Sequence, residues 1–386
     1  MRYRFAFVIA LFVQWVIPNA RAVELPNLPL EIIGEVSPYY YLNLTEEQKE
    51  VKGRPTTETE RKYRNSFGLG AAYLGFKLDV TDDLYAELVL SDYGSNYIRY
   101  AYAGFANLIP RHELYIGLVK TPWVYYEDEL WGWRFVKSVG VEDHNFIDEE
   151  KFGAGIAGDV FPDYLTHHFS FTDGDIYGRG KAAEYRLSVF PLASFGFLGG
   201  FSINGLLHCG NLFGDTETEY WSRGDEDITF GPFKANTYGA LIGFDHRYLT
   251  LGTGYFERVE GDVFDDWSGK RPYQRDVVSY LFTGHATAHV FPWFDVLGRF
   301  DFVEPDTGSR DWWKTENYDE TYDKYLYCIV GAAFTFAGGH FKIVPNYQTR
   351  IPEKEVNIGY DPDGNGYHSV FVPTRHYFYV NMNARF

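Results

Sequence analysis

The most constraining feature of this sequence is a rhythm. About sixteen stretches alternate apolar with polar residues, the pattern of strands with one face toward something apolar and one toward water. The segments between them alternate in length. Those at 81–83, 106–112, 161–164, 191–200, 245–247, 291–293 and 337–340 are short. Those at 45–65, 121–151, 172–182, 210–231, 257–275, 304–324 and 350–375 are longer, and a short one near Gly94 is the exception. Antiparallel strands joined this way put the tight turns at one end and the long loops at the other. A soluble sandwich has no reason for that order, and a barrel that crosses a membrane does. In hydrocarbon every amide needs an internal partner, so strands cross only as a closed barrel. At about sixteen strands the barrel keeps a water-filled lumen, whereas eight would be filled by side chains. The expected fold is all-β, a transmembrane antiparallel β-barrel.

The last stretch shows the pattern most clearly. In His376–Phe386, His376, Phe378, Val380, Met382, Ala384 and Phe386 point one way, and Tyr377, Tyr379, Asn381, Asn383 and Arg385 the other. Its terminal Phe resembles the C-terminal signal of bacterial outer-membrane barrels. At the other end, Arg2 and Arg4 precede an apolar run from Phe5 to Ile17, and Ala20-Arg21-Ala22 has the small-x-small form of a cleavage site. That run is too short for a spanning helix, which takes about 20 residues. Residues 1–22 are expected to be a cleaved signal peptide, and 23–386 a single outer-membrane barrel domain with short periplasmic turns and long extracellular loops.

Composition excludes some partners. The formal net charge is -18, and nucleic-acid binding calls for clustered Lys and Arg instead. Aromatics make up 19% of residues, enough to supply girdles at both membrane interfaces. The two cysteines, Cys209 and Cys328, both fall on apolar faces and form no disulfide framework.

Polar parity gives the lumen wall: Lys77, Glu87, Arg99, Arg186, Arg299, Asp301 and Lys342. The plain reading is solvated charges paired across strands. The functional reading is a field that selects ions, as charge rings do in pores. Residues 121–151 are the candidate constriction. Their acids are Glu127, Asp128, Glu129, Glu142, Asp143, Asp148, Glu149 and Glu150, and their bases Arg134, Lys137 and Lys151. Trp123, Trp131, Trp133 and Phe135 make the segment apolar enough to pack against a wall, and Asp128–Val136 reads as a short helix. The alternative is that these aromatics pack on a neighbouring subunit or stay at the outer rim. If the loop folds inward, its excess of acids focuses a weak preference for cations.

Asp361, Asp363 and Asn365 look like half of a calcium loop, but Val372 stands where the closing carboxylate belongs. A plain turn is the preferred reading, and no metal is expected. The chain has no GxSxG, HExxH, P-loop or CxxC motif, and His167 and His168 face opposite sides of one strand. Neither enzymatic activity nor a cofactor is expected.

Three segments carry a resemblance to a family. Gly117-Leu-Val-Lys120-Thr-Pro122-Trp123 resembles the Gly-x-x-Lys-x-Pro-aromatic segment of phosphate-selective porins O and P. Gly298-Arg-Phe-Asp301-Phe-Val-Glu304-Pro-Asp306 is similar to their Arg-aromatic-Asp stretch, and Phe386 is shared by porins generally. The resemblance implies a sixteen-stranded, often trimeric porin of the bacterial outer membrane. It also implies a pore-side Lys120, although strict alternation puts that residue on the lipid face unless its strand has ended. The expected function is passive diffusion of ions and small hydrophilic solutes, with outer-membrane lipid and a homotrimer as partners. The alternatives are an anion- or phosphate-selective porin, which the resemblance favours, and a non-transport barrel acting as an adhesin or structural protein through its acidic loops.

Overall fold

The computed structural model describes residues 30–51, 54–61, 64–92, 98–173, 181–212, 218–221, 227–230, 235–264, 273–305, 324–353, 356–360, 367–371 and 374–386. The leader at 1–22 and the calcium candidate Asp361, Asp363 and Asn365 lie outside them, as does most of the acidic stretches 210–231 and 304–324.

Sixteen strands form one closed antiparallel barrel. They are β1 Leu30–Asn43, β2 Arg64–Thr81, β3 Leu84–Ser91, β4 Ile98–Ile109, β5 His112–Lys120, β6 Glu150–Phe161, β7 Leu165–Asp173 and β8 Lys181–Val189. The second half comprises β9 Phe201–Leu212, β10 Ala235–His246, β11 Leu249–Phe264, β12 Tyr273–Phe291, β13 Phe294–Glu304, β14 Tyr325–Phe336, β15 Phe341–Pro352 and β16 Arg375–Arg385. Each pairs with its neighbour in the chain, and β16 closes on β1 with Glu35 opposite Arg385 and Tyr41 opposite Tyr379. Gly34 and Phe386 exchange both backbone bonds, at 2.7 and 2.9 Å. The barrel sheet therefore has no open edge.

Alternation sorts the side chains. Ile116, Phe152, Leu207, Ile242 and Val330 project outward and are exposed. An apolar band of this kind is stable only against lipid. At the short-turn rim Phe161, Tyr164, Phe195 and Tyr248 are exposed, and Phe291 and Trp293 stack with centroids 5.4 Å apart, as an interfacial girdle requires. Cys209 and Cys328 are unbonded. Three of the long connections contain two-stranded ladders: Glu46–Val51 with Arg54–Arg61, Thr218–Trp221 with Asp227–Phe230, and Val356–Tyr360 with Tyr367–Phe371. Folding back on itself lets a long loop pair its own amides.

A buried apolar cluster lies inside the barrel, on one side of the lumen. Leu206, Leu241, Phe256, Leu281, Leu297, Ile329 and Val344 of β9 to β15 point inward and meet residues of the segment after β5. The outward and inward faces differ enough to be tested. An Arg on the lipid face of a mid-membrane strand costs about 2–4 kcal/mol. Leu88→Arg should therefore cut the yield of heat-modifiable, folded barrel on gels. Glu87→Arg, where the parent carboxylate accepts a 2.8 Å bond from Tyr102 inside the lumen, should assemble. Equal assembly of the two variants would mean the faces are misassigned.

Candidate functional site

The chain leaves β5 at Thr121 and turns into the barrel. Helix α1, Pro122–Trp131, starts there because Pro122 at its first turn has no N–H to lose and a φ suited to helix. It stops at Gly132, whose left-handed φ of 70° lets its N–H reach Asp128 O at 2.8 Å. These two residues correct the expected Asp128–Val136 helix: it begins six residues earlier and ends before Trp133. A single turn, α2 Gly140–Asp143, follows. Thr121 ties the two ends of the loop together through its amide to Glu149 O (2.9 Å) and its hydroxyl to Asp148 O (2.8 Å).

Packing holds the loop against β7 to β15. Trp123, Trp131, Trp133, Phe146 and Ile147 are buried in the inner cluster, and Trp123 meets Phe256 edge-on at 5.1 Å. Each fully buried apolar side chain contributes about 1.5–3 kcal/mol, so the cluster dominates the docking. Buried indoles need partners, and each finds one: Trp123 Nε1 donates to Glu127 at 3.0 Å, Trp131 Nε1 to Lys137 O at 3.0 Å, and Trp133 Nε1 to Thr287 at 2.9 Å. Glu184 on β8 accepts the Trp123 amide at 2.7 Å, meeting one of the free N–H groups at the start of α1. Beneath α2, Arg299 binds Asp301 through Nη2 at 2.6 Å and donates to Ser138 O. Asp301 also accepts from Thr283 at 2.6 Å and lies 3.0 Å from His144 Nε2.

With the loop docked on one wall, a cavity of about 720 Å³ remains between it and the rest of the wall, formed by β1, β2, β4 and β16 and bordered by Gln348 of β15. Its charged lining is Glu35, Asp128, Glu129, Glu142, Asp143 and Glu149 against Arg99, Lys120, Arg134, Lys137 and Arg385. Most of these are paired. Arg134 holds Asp128 (2.5 Å), Glu142 (2.6 Å) and Glu149. Arg99 and Tyr100 also donate to Glu149. Lys137 meets Asp143 at 2.5 Å, and Arg385 meets Glu35 at 2.8 Å. Glu129 is exposed. Lys120 has no ion-pair partner among the described residues and sits 4.7 and 5.0 Å from the rings of Tyr100 and Tyr125.

The sequence candidates therefore divide. Arg99, Lys120, Asp128, Glu129, Arg134 and Lys137 line the cavity. Lys120 does so as the last residue of β5, where the chain already turns inward. Lys77, 5.0 Å from the Tyr85 ring, and Glu87 face the lumen toward the short-turn end. Lys342 lies 4.6 Å from the Trp133 ring. Arg186, Arg299 and Asp301 were expected as solvated lumen charges. Instead the loop covers them: Asp301 is 0% exposed and Arg299 4%, and Arg186 lies 4.5 Å from the Tyr126 ring of α1. Glu127 likewise faces the wall and not the cavity, at 1% exposure, because its helical position shares a face with Trp123 and Trp131. Glu184, His144 and Thr287 were missed as anchors. A signal for them existed in the apolar residues at inward positions of β9 to β15, which water alone does not explain.

Burial raises the Glu127 carboxyl from an ordinary value of 4.5 to about 7. A raised carboxyl binds its proton more tightly in the docked loop than in a released one. Its contribution to docking is therefore complete below about pH 4.5 and is lost as pH rises through about 7. Protease cleavage within 121–149 should become faster from pH 5 to pH 8, and Glu127→Gln should flatten that profile. A parent-like profile in the variant would assign the pH dependence elsewhere.

No protein-family description matches the chain, and no curated protein matches it either. Solved structures do. An anion-selective porin from Comamonas acidovorans is 11% identical, covers 93% of this chain and 100% of its own, and superposes with a TM-score of 0.59. OmpT of Vibrio cholerae, an outer-membrane protein in its trimer form, is 10% identical over 92% and 99% of the two chains, with a TM-score of 0.57. OmpF of Salmonella typhi is 13% identical over 92% and 97%, with a TM-score of 0.55. At these identities the likeness is one of fold, and the shared fold is the closed barrel of bacterial outer-membrane porins.

Proposed function

We propose that this chain forms a water-filled channel in the bacterial outer membrane through which ions and small hydrophilic solutes diffuse. The observation that carries the reading is the cavity of about 720 Å³ left beside the docked loop, lined by charges and tyrosines inside a closed sixteen-strand barrel. A structural barrel has no need of an aqueous, charge-lined interior. The trimer form recorded for one structural neighbour, which covers 92% of this chain, supports a homotrimer.

Selectivity follows from what pairing leaves over. Most of the lining charges cancel locally, which leaves exposed Glu129, unpaired Lys120 and one more acid than base. We assign a weak cation preference to that balance. A preference for anions is the second reading, favoured by Lys120 at the cavity wall. Purified protein in planar bilayers should give stable conductance steps, and its reversal potential under a salt gradient should lie slightly toward cations. Glu129→Gln should move it toward anions and Lys120→Gln further toward cations. A silent membrane across several preparations would overturn the channel reading, and an anion-directed potential in the parent would hand selectivity to Lys120.

A further inference from the structure

We propose that the lumen carries a docking track for a neutral saccharide, formed by Tyr39 and Tyr41 of β1 and Tyr377 and Tyr379 of β16. The proposal rests on the channel reading above and names a solute class for it. The four residues share the inward face of two paired strands, with Tyr41 opposite Tyr379 and Tyr39 opposite Asn381. Their rings are continuous. Tyr41 and Tyr379 stack at 5.8 Å and 30°, Tyr39 lies 6.0 Å from Tyr379 and 6.3 Å from Tyr41, and Tyr377 lies 6.0 Å from Tyr379. Tyr41 and Tyr377 are at the long-loop ends of their strands, while Tyr39 and Tyr379 line the cavity. The strip therefore leads from the outer mouth down into the cavity.

Packing of the loop does not account for these rings. The loop's aromatic cluster is seated on β7 to β15, and the loop reaches β16 through Phe135 O, which accepts from Asn381 at 3.1 Å; among the described residues the ring contacts of the four tyrosines are with one another. The wall also makes room for Tyr39. A Cβ at Gly68 of β2 would lie 2.4 Å from its Cζ, so the ring lies directly against the glycine backbone. Half-buried aromatic rings on the wall of an aqueous lumen make an interaction surface.

The chemistry of the surface selects the ligand. Each tyrosine offers an apolar face and a hydroxyl that both donates and accepts. Asn381 and Gln348, buried and bonded to Phe135 O, Asn346 and Tyr327, form a fixed neutral wall where the strip enters the cavity. A pyranose is the complement, with C–H faces to stack and a rim of hydroxyls to bond. The near balance of acids and bases around the cavity gives a charged solute only a weak net field.

The test is current block in planar bilayers with maltose as the probe. Maltose added on the long-loop side should reduce the current of the parent in a saturable way. Tyr39→Ala and Tyr379→Ala should each raise the half-blocking concentration about tenfold, and Tyr39→Phe should stay near the parent because it keeps the face. Gly68→Ala keeps all four tyrosines and displaces one ring. It should raise the half-blocking concentration too, and it serves if a tyrosine variant fails to assemble. Steady conductance without maltose block would overturn the saccharide track and leave the channel intact. Block by benzyltrimethylammonium but not by maltose would overturn it in favour of a cation site. A parent that conducts nothing would overturn the channel reading itself, and the track with it.

Discussion

Arg299→Ala should free the loop from the wall and raise single-channel conductance. The guanidinium and Asp301 are sealed under α2, at 4% and 0% exposure, and Arg299 also donates to the loop backbone at Ser138 O, as Arg258 does at Asn145 O. Taking one member from a buried ion pair leaves a lone charge and costs about 3–5 kcal/mol. That cost falls on the docked state, because a released loop lets water reach Asp301. The backbone ladder of the barrel is untouched, so the variant should still assemble. Limited proteolysis within 121–149 and bilayer conductance measure the release. Arg299→Met combined with Asp301→Leu should restore most of the docking, since an apolar pair of similar volume leaves no unpaired charge. Parental conductance and protection in Arg299→Ala would show that the aromatic cluster alone holds the loop.

Arg134→Ala should produce the largest shift in ion preference. This one guanidinium faces Asp128, Glu142 and Glu149, and without it Arg99 alone remains on the group, at Glu149. The reversal potential should move strongly toward cations. Burial already pushes the Glu142 carboxyl up to about 7, and Arg134 is the neighbour that most holds it down. Its removal lets the Glu142 carboxyl rise further and take up a proton near neutrality. The cation shift should therefore be small at pH 6 and large at pH 9. Arg134→Lys keeps the charge but not the planar fork that reaches three carboxylates, and should fall between. A potential that is parental at every pH would show that ions do not pass this cluster.

Much of the barrel was legible because the constraints on it are local or run the whole length of the chain. Alternation along His376–Phe386 sorts Phe378 and Met382 from Tyr379 and Asn381 with no tertiary information, since successive strand side chains face opposite sides. The contrast between 81–83 and 121–151 orders the two ends of the barrel. Hydrogen bonding in hydrocarbon then requires closure. The site was legible in part. The tryptophans and acids of 121–151 mark a segment able to pack and to carry charge, but composition treats Glu127, Asp128 and Glu129 alike. The helix does not: Glu127 shares a face with Trp123, Asp128 meets Arg134, and Glu129 faces water.

The approximate strand number, the faces of the strand interiors and the order of short and long connections were thus determined by the sequence alone, through a side-chain period of two and the need to pair every amide; Lys120, at a strand end, shows where alternation stops deciding. Only the tertiary structure decided which wall receives the loop and which charges it seals. Arg299 and Ser138 are 161 positions apart, and Trp133 and Thr287 are 154. Whether a wall charge meets water depends on where a distant segment comes to rest, and no local pattern around Arg186, Arg299 or Asp301 records that.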